Sequence, residues 1–576
     1  VHGMGNDTLT DPFVGLSIMP AISGVMRDMT GIRFEHPTWI PENCTGCGSC
    51  YTVCPDSAIP ALVNDISQIF DTVIRSLEEK GHQLVYLRKG VRMLEPKLRD
   101  LIAQAGSKPQ VRELISRAVA DTISSAAPDE RECASQEFAA FEQELGSFKF
   151  AVTRPYYTVP ERRNKNSGGL LSITINPYTC KGCMECVQVC NDDALRAATQ
   201  TPHSVAELRR NWDFWLKLPT TPKKFIRVDN LEECVGALET ILLDKDCYMA
   251  VASGDGACMG CTEKTVIRLF CATVEALMQP RVAAHVDKIR DLIERLEKHI
   301  ASTPTFSTRA VEALQKLKDL KWRYEDGVTG YGRSSMGMLN STGCTSVWGS
   351  TYPFNPYPFP WANHLFQDSA SVAMGVFEGH MAKMADGFKA IRIAELELEG
   401  KYNPTEHDEF FTYFNWQHFS DEEFLLCPPV VAVGGDGAMY DIGFQNVSRV
   451  LASGKPIKII VLDTQVYSNT GGQACTSGFP GQVSDMAQYG KAIQGKQEIR
   501  KEMGLIAMAH RTTYVLQSGI NAPGHMIEGF IQGLMARRPA IFNIYCACQP
   551  EHGIPDDAGK KQAKLALESR AYPFFK

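Results

Sequence analysis

Pro428-Pro429-Val430-Val431-Ala432-Val433-Gly434-Gly435-Asp436-Gly437-Ala438 is the stretch on which the fold turns. Its apolar run, Pro428–Val433, has the length of a buried parallel strand. A glycine-rich turn follows, then a helical pattern near Gln445–Ala452 and a second apolar run at Ile457–Leu462. Strand, turn, helix and strand make one β-α-β unit. The glycines let the backbone approach a diphosphate, and the helix N-terminus favours its negative charge. Asp436 offers a hard oxygen to Mg2+. Alone, a Gly-Asp-Gly turn is a weak signal, because many surface turns read the same way.

The next segment strengthens it. Asp463-Thr464-Gln465-Val466-Tyr467-Ser468-Asn469-Thr470 follows the second strand, where thiamine-dependent enzymes place a further metal ligand. Taken together, the two motifs read as a thiamine diphosphate site with Mg2+. Asn469 can also be read as a turn residue capping Gly471-Gly472, a role compatible with a functional one.

Upstream, the cysteines organise the chain. Twelve of the nineteen fall into three patterns. The first two are Cys44-x2-Cys47-x2-Cys50-x3-Cys54-Pro55 and Cys180-x2-Cys183-x2-Cys186-x3-Cys190. Thiolates hold iron-sulfur clusters, and in two-cluster ferredoxins the fourth cysteine of each run ligates the other cluster. By that logic one [4Fe-4S] centre takes Cys44, Cys47, Cys50 and Cys190, and its neighbour takes Cys54, Cys180, Cys183 and Cys186. Zinc also binds four thiolates, but two complete four-cysteine runs with the x3 step favour the clusters. Asn191 stands where the second run would ordinarily carry proline. Cys258-x2-Cys261 opens the third pattern. Cys133, Cys234, Cys247, Cys271, Cys427 and Cys475 fit none and read as small buried hydrophobes.

At 576 residues, 44% hydrophobic and 22% charged, the chain has core for several domains. Its net charge of −7 gives no basis for a nucleic-acid partner, and no apolar run is long enough for a membrane span. Clustered cysteines in a large chain suit a reducing cytoplasm. Val1-His2-Gly3-Met4 shows no signal peptide and no initiator Met, so a processed chain or a piece of a longer one is expected.

The expected architecture is α/β. A two-cluster bacterial-ferredoxin-like α+β domain precedes a parallel-sheet thiamine-diphosphate domain, and both carry helical insertions. Residues 1–36 read as an apolar strap and 37–200 as the ferredoxin-like domain, with a helical insert over 61–150. In that insert Leu94, Leu98, Leu101 and Ile102 have helical spacing, as do Val111, Leu114, Ile115 and Val119. Pro96 is expected to open its helix rather than sit inside it. The insert is expected to pack outside as an interaction surface or lid. Residues 201–246, with Leu218-Pro219-Thr220-Thr221-Pro222-Lys223-Lys224, read as a linker. The thiamine domain is expected over 247–576, interrupted by a helical hairpin at 282–322. Ile289, Leu292, Ile293, Leu296 and Ile300 form one stripe; Val311, Leu314, Leu317 and Leu320 form the other, with the turn at Ser302–Thr305. Because this hairpin separates Cys261 from Cys344, it is expected to bulge outward as an appendage.

These motifs resemble the pyruvate:ferredoxin (flavodoxin) oxidoreductases within the wider 2-oxoacid:ferredoxin oxidoreductase family. The matching stretches are Asn43–Pro55, Cys180–Cys190, Gly256–Thr265, Thr342–Gly349, Trp361–Phe366, Gly434–Gly443 and Asp463–Gly472, in the family's order. The resemblance implies a proximal [4Fe-4S] cluster on Cys258, Cys261, Cys344 and Cys548, with Cys546 a buried neighbour. It implies thiamine contacts from Glu263, Cys344, Gly435, Asp436, Gly437, Ala438, Thr464, Ser468 and Asn469. Among these, Glu263 and Asn469 are the candidates for a part in catalysis. Mg2+ would be held by Asp436, Thr464 and the Val466 carbonyl.

The implied activity is reversible, coenzyme A-dependent oxidative decarboxylation of a 2-oxoacid, pyruvate before others. Electrons would pass through three [4Fe-4S] clusters to ferredoxin or flavodoxin. The family's pyrimidine-binding and coenzyme A-binding domains are absent, so an N-terminal half or separate subunit is expected to supply them, in a dimer of the complete unit. A 2-oxoglutarate or branched-chain 2-oxoacid enzyme is the alternative on substrate. A non-redox thiamine decarboxylase or synthase with a fused ferredoxin is the alternative on chemistry. A third reading is an electron-transfer subunit with a degenerate thiamine fold.

Overall fold

The structure is a computed structural model. It describes residues 18–576 except 20, 22–23, 25–26, 227–228, 230–235, 251–254, 303–306, 329, 351–354, 356, 358, 360, 365–366 and 493.

Val430–Gly435 and Lys458–Asp463 are adjacent parallel strands joined through the helix Phe444–Ala452, as the apolar pattern requires. They sit inside a seven-stranded sheet ordered Ile18–Met19, Trp361–His364, Gly337–Ser341, Val430–Gly435, Lys458–Asp463, Ala540–Tyr545, Tyr514–Gly519. Six strands are parallel, and the two-residue edge strand is antiparallel. Both faces are covered, which is why the strands read as unbroken apolar runs. Val431, Val433, Ile460, Leu462, Phe542 and Ile544 point into one core. Val430, Ala432, Ile459, Val461 and Ile541 point into the other.

Strand order reverses beside Val430–Gly435. The chain leaves Gly337–Ser341 for Trp361–His364 on one side, and leaves Val430–Gly435 for Lys458–Asp463 on the other. The crevice at the carboxyl ends of such strands is where open α/β sheets bind ligands.

The cysteine runs lie in a module of two antiparallel strand pairs, Glu35–Trp39 with Leu195–Thr199 and Ala61–Asn64 with Leu170–Ile173. The runs repeat one backbone path. Left-handed conformations recur at Gly46 and Gly182, at Gly48 and Met184, and at Ser57 and Asp193. The second residue of each run so marked turns the chain into a short helix, Ser49–Val53 or Glu185–Gln188, and so folds the third cysteine back toward the first two.

The helical insert differs from expectation in two respects. It opens with the strand Ala61–Asn64, and the helix Leu87–Gln104 runs through Pro96 instead of opening there. Leu87, Leu94, Leu98 and Ile102 are buried on one face of it. Their burial, about 1.5–3 kcal/mol each, outweighs the roughly 3 kcal/mol cost of an interior proline. With Ile66–Glu79, Val111–Ser124 and Arg131–Leu145 this helix builds a separate core around Phe70, Phe138 and Phe141.

The stretch expected as a linker is structured where described. Helix Pro202–Lys217 stacks Trp212 on Trp215 at 5.2 Å in the insert's core. Beyond it, Asn64 Nδ2 donates to the Pro219 carbonyl and the Val63 N–H donates to the Thr221 hydroxyl. Of the expected strap, Ile18–Met19 pairs with Trp361–Ala362, and the Met29 N–H bonds the Tyr178 carbonyl. Residues 1–17 of that strap, Cys234, and Leu365–Phe366 lie outside the described residues.

The hairpin reading is corrected. Its first helix begins at Thr262, directly after Cys261, and runs unbroken to Ser302; the second is Thr308–Glu325. The turn assigned to Ser302–Thr305 falls largely outside the described residues. Neither helix is an appendage. Leu292, Leu296, Ala310, Ala313 and Leu317 pack on Ala373, Phe377, Met384 and Phe388 of the helix Ser369–Leu398, forming a further layer over the sheet. An exposed apolar stripe is costly, and the long helix carries its stripe past Pro280 onto this surface. Val311, placed on the inner stripe by spacing, is 41% exposed, while the small Ala310 and Ala313 face inward. Among the described residues, no helix is long and apolar enough to cross a membrane.

Leu317→Ala is therefore expected to lower stability by about 2–5 kcal/mol, read from the denaturant midpoint. Val311→Ala on the same helix should stay within about 0.5 kcal/mol. Equal small losses would mean that the hairpin is unpacked.

Candidate functional site

The loops after four parallel strands converge at the crevice. Thr342-Gly343-Cys344 follows Gly337–Ser341, Asp436 follows Val430–Gly435, Thr464 follows Lys458–Asp463, and Cys546-Ala547-Cys548 follows Ala540–Tyr545. A cavity of ≈ 120 Å³, open at its mouth, is lined by Glu263, Cys344, Gly435–Ala438, Thr464 and Ser468–Thr470. Gly435 leaves open space beside the backbone, and a side chain at Gly437 would strike the Tyr467 ring at 2.5 Å.

The oxygens expected to hold Mg2+ come together. Thr464 Oγ1 lies 2.9 Å from the Val466 carbonyl and 3.3 Å from Asp436 Oδ2. Neighbouring ligands of an octahedral Mg2+ lie about 3 Å apart, so this donor set fits the ion. Burial drives the Asp436 carboxyl well above its ordinary pKa, and the Asp463 charge adds to the rise. A divalent cation reverses that cost.

Sequence reasoning missed the support for this carboxylate. Ser477 Oγ donates to Asp436 Oδ2 at 3.1 Å. Asp441 takes the Tyr467 hydroxyl at 2.6 Å and the Thr476 hydroxyl, fixing the loop below. Tyr440 holds the fully buried Asp463 at 2.8 Å. None of these has a motif of its own.

Glu263 is buried beside the crevice. Burial pushes its pKa up to about 7, against the Trp348 Nε1–H that donates to it at 2.9 Å. Asn469 is exposed on the single turn Ser468–Thr470, ahead of left-handed Gly471 and Gly472.

The three cysteine sets lie in different surroundings. Cys44, Cys47, Cys50 and Cys190 line one small cavity with Trp39, Leu171 and Ile173. Burial raises the pKa of Cys180, Cys183 and Cys186, and nearby Cys54 adds to the rise of each. Burial raises Cys344 too, followed by Glu263, Cys261, Cys548 and Cys258. The Ala58 and Ala194 N–H groups donate to Cys54 and Cys190 Sγ at 3.2 and 3.3 Å, a repeat of the pseudo-symmetry. Cys546 is fully buried with its thiol on the Ile544 carbonyl. Cys247, Cys271, Cys427 and Cys475 are buried, whereas Cys133 is half-buried with its thiol on the Glu137 carboxylate.

Residues 425–544 match the thiamine pyrophosphate enzyme, C-terminal TPP binding domain, and residues 37–59 match the 4Fe-4S binding domain. A pyruvate-flavodoxin oxidoreductase of Klebsiella pneumoniae is 23% identical over 98% of this chain and 38% of its own length. One from Rhodospirillum rubrum is 25% identical over 71% of this chain and 31% of its own. The chain is similar to these oxidoreductases across both its 4Fe-4S and its thiamine pyrophosphate parts. It spans about a third of the length of these relatives. A 2-oxoglutarate:ferredoxin oxidoreductase from Magnetococcus marinus, with 2-oxoglutarate, coenzyme A and succinyl-CoA bound, covers 43% of this chain and 66% of that one. At 16% identity and a TM-score of 0.26, it bears no weight here.

In this chain, the first turns of the long helix join the two modules. Thr262 Oγ1 donates to the Ala547 carbonyl on the thiamine side. On the ferredoxin-like side, Thr265 Oγ1 donates to the Val53 carbonyl at 3.1 Å, and Arg268 caps the Ser49–Val53 helix through the Tyr51 and Thr52 carbonyls. Between them lies a buried quartet. Lys181 meets Asp255 at 2.7 Å and Asp56 at 3.5 Å, and Lys264 meets Asp255 at 2.8 Å and also Asp56. Each member stands within a few residues of a motif cysteine, which the sequence displays; their pairing across the modules it does not.

Within the thiamine domain, His552 ties the Cys548 loop to the Thr464 loop. Its Nε2 donates to the Thr464 carbonyl at 2.8 Å, leaving Nδ1 to accept the Cys548 N–H at 3.3 Å. His552→Ala is expected to cost about 1–3 kcal/mol in chemical denaturation. The exposed Lys564→Ala should change stability by less than about 0.5 kcal/mol. Wild-type stability in the histidine variant would show that the bridge bears no load.

Proposed function

We propose that this chain is the diphosphate-binding and electron-transfer part of an enzyme that oxidatively decarboxylates a 2-oxoacid, most simply pyruvate, to the acyl-coenzyme A and CO2. Electrons leave singly to ferredoxin or flavodoxin. One observation carries the reading: Cys344 and Glu263 share a crevice with Asp436 and Thr464, so a cysteine set borders the diphosphate site. A non-redox thiamine enzyme has no use for thiols in that position.

Bound thiamine diphosphate supplies an electron sink for decarboxylation, and iron-sulfur clusters accept single electrons. The residues divide the remaining work. Asp436, Thr464 and the Val466 carbonyl hold Mg2+, with Ser477 aiming the carboxylate. Gly435, Gly437, Ala438, Ser468 and Asn469 hold the diphosphate and its surroundings. Glu263 keeps a carboxyl of raised pKa oriented by Trp348 beside the same cavity. Cys258, Cys261, Cys344 and Cys548 hold the proximal cluster. Cys44, Cys47, Cys50 and Cys190 hold a second, and Cys54, Cys180, Cys183 and Cys186 hold a third.

A covering partner, or a further part of a longer polypeptide, completes the site. Ile442 on the crevice rim is 62% exposed, and the loop beyond Ser477 exposes Val483, Met486, Tyr489 and Ile499 by 56–87%. So much apolar surface around a cofactor cavity suits a partner domain. That partner would bring the pyrimidine-side and coenzyme A contacts.

The complete enzyme is expected to contain about twelve irons with thiamine and to reduce a viologen dye given coenzyme A and a 2-oxoacid. A panel of pyruvate, 2-oxoglutarate and branched-chain 2-oxoacids identifies the substrate; activity without coenzyme A overturns the assignment. In Asp436→Ala, thiamine diphosphate binding by calorimetry should vanish while iron content stays at the wild-type level. Retained binding would remove the metal role from Asp436.

A further inference from the structure

Two arginines, one beside each ferredoxin-like cysteine run, are buried and only half used. Arg268, 1% exposed, directs Nη2 to the Tyr51 and Thr52 carbonyls, both at 2.6 Å, and its Nε and Nη1 have no partner. Arg33, 4% exposed, directs Nη1 to the Pro177 and Cys180 carbonyls at 2.5 and 2.7 Å, and its Nε and Nη2 have none. Their anchoring carbonyls belong to the segments leading to Cys54 and carrying Cys180. The two guanidinium groups therefore flank the Cys54, Cys180, Cys183 and Cys186 set from different runs.

Among the described residues, the neighbouring charges at this set are paired. Lys181 and Lys264 face Asp56 and Asp255, and Asp28 faces Arg209. Glu185 accepts the Gly559 and Lys560 N–H groups. Two guanidinium charges with unspent donors are left, and unpaired buried donors are costly unless something accepts from them. The Cys44, Cys47, Cys50 and Cys190 cavity differs. Apolar Trp39, Leu171 and Ile173 line it, and the cation felt there, Lys560, is half-buried and shared with Glu185.

Cluster potentials respond to net charge and to hydrogen bonds on the sulfurs. We propose that Arg268 and Arg33 set the potential of the centre held by Cys54, Cys180, Cys183 and Cys186, easing its reduction so that it takes the electrons arriving from the thiamine side. This rests on the cluster ligation proposed above. Each transfer oxidises the donor cluster by one electron and reduces this one by one, with no bond made or broken. Position agrees with the role. Lys181, next to Cys180, bonds Asp255 and the Ala257 carbonyl, immediately before Cys258 of the proximal set. The cysteines of the other ferredoxin-like set are all partly open to solvent, as an electron exit requires.

The test is a potentiometric titration of the complete enzyme followed by EPR, with Cys186→Ser and Cys50→Ser assigning the two ferredoxin-like signals. At a fixed potential, Arg268→Gln is expected to shift the Cys186-dependent centre at least tenfold toward its oxidised form, about 59 mV for one electron. The Cys50-dependent centre should stay at its wild-type midpoint, and Arg268→Lys, which keeps the charge, should recover most of the shift. Equal movement of both centres, movement of neither, or equal shifts in the Gln and Lys variants overturns the proposal. Should Arg268→Gln fail to hold iron, Arg33→Gln tests the same centre from its other side, and an unmoved midpoint there overturns it as well. Fewer than two ferredoxin-like signals in the wild-type enzyme would instead bring down the ligation reading beneath it.

Discussion

Lys181, Lys264, Asp56 and Asp255 are all at most 5% exposed, and they tie the two halves of the molecule together. A lone charge in such a place costs several kcal/mol in lost hydration. The four coexist because each cation touches an anion from a different segment, so removing one strands its partners. Two of the segments carry ferredoxin-like cysteines and two carry the start of the thiamine module. Their mutual neutralisation fixes how the modules face each other, and the positions of the cysteine sets follow.

The crevice depends on a second constraint, the switch in strand order beside Val430–Gly435. Loops leaving neighbouring strands in opposite directions open a gap at their carboxyl ends. Asp436, Thr464 and Cys344 reach that gap because each immediately follows a strand. The residues that hold them in place reach across from other segments: Ser477 under Asp436, Asp441 under Tyr467, Trp348 against Glu263 and His552 between Cys548 and Thr464.

Much of this could be read from the chain. The strand pair around Asp436 appears where local pattern placed it, because short apolar runs are local signals; Cys344 and Cys548 carried no such signal and were named only through a family resemblance. The misreadings share one cause. Pro96 and the 262–302 helix were judged from local punctuation, whereas the burial of Leu94 and Leu98, or of Leu292 and Leu296, decided them. Residues 201–246 looked like a linker because proline and lysine mark one, yet Trp212 and Trp215 anchor the helix that opens the stretch.

The amino-acid order by itself determined which atoms are available: soft sulfurs in cubane spacing, a hard carboxylate on a glycine turn, and apolar runs of strand length. Tertiary structure alone decided which of them meet. Whether Lys264 finds Asp56, or Arg268 the end of the Ser49–Val53 helix, depends on contacts between residues some two hundred positions apart. Such contacts are fixed by the balance of burial and charge pairing over the whole chain, and no local pattern encodes that balance.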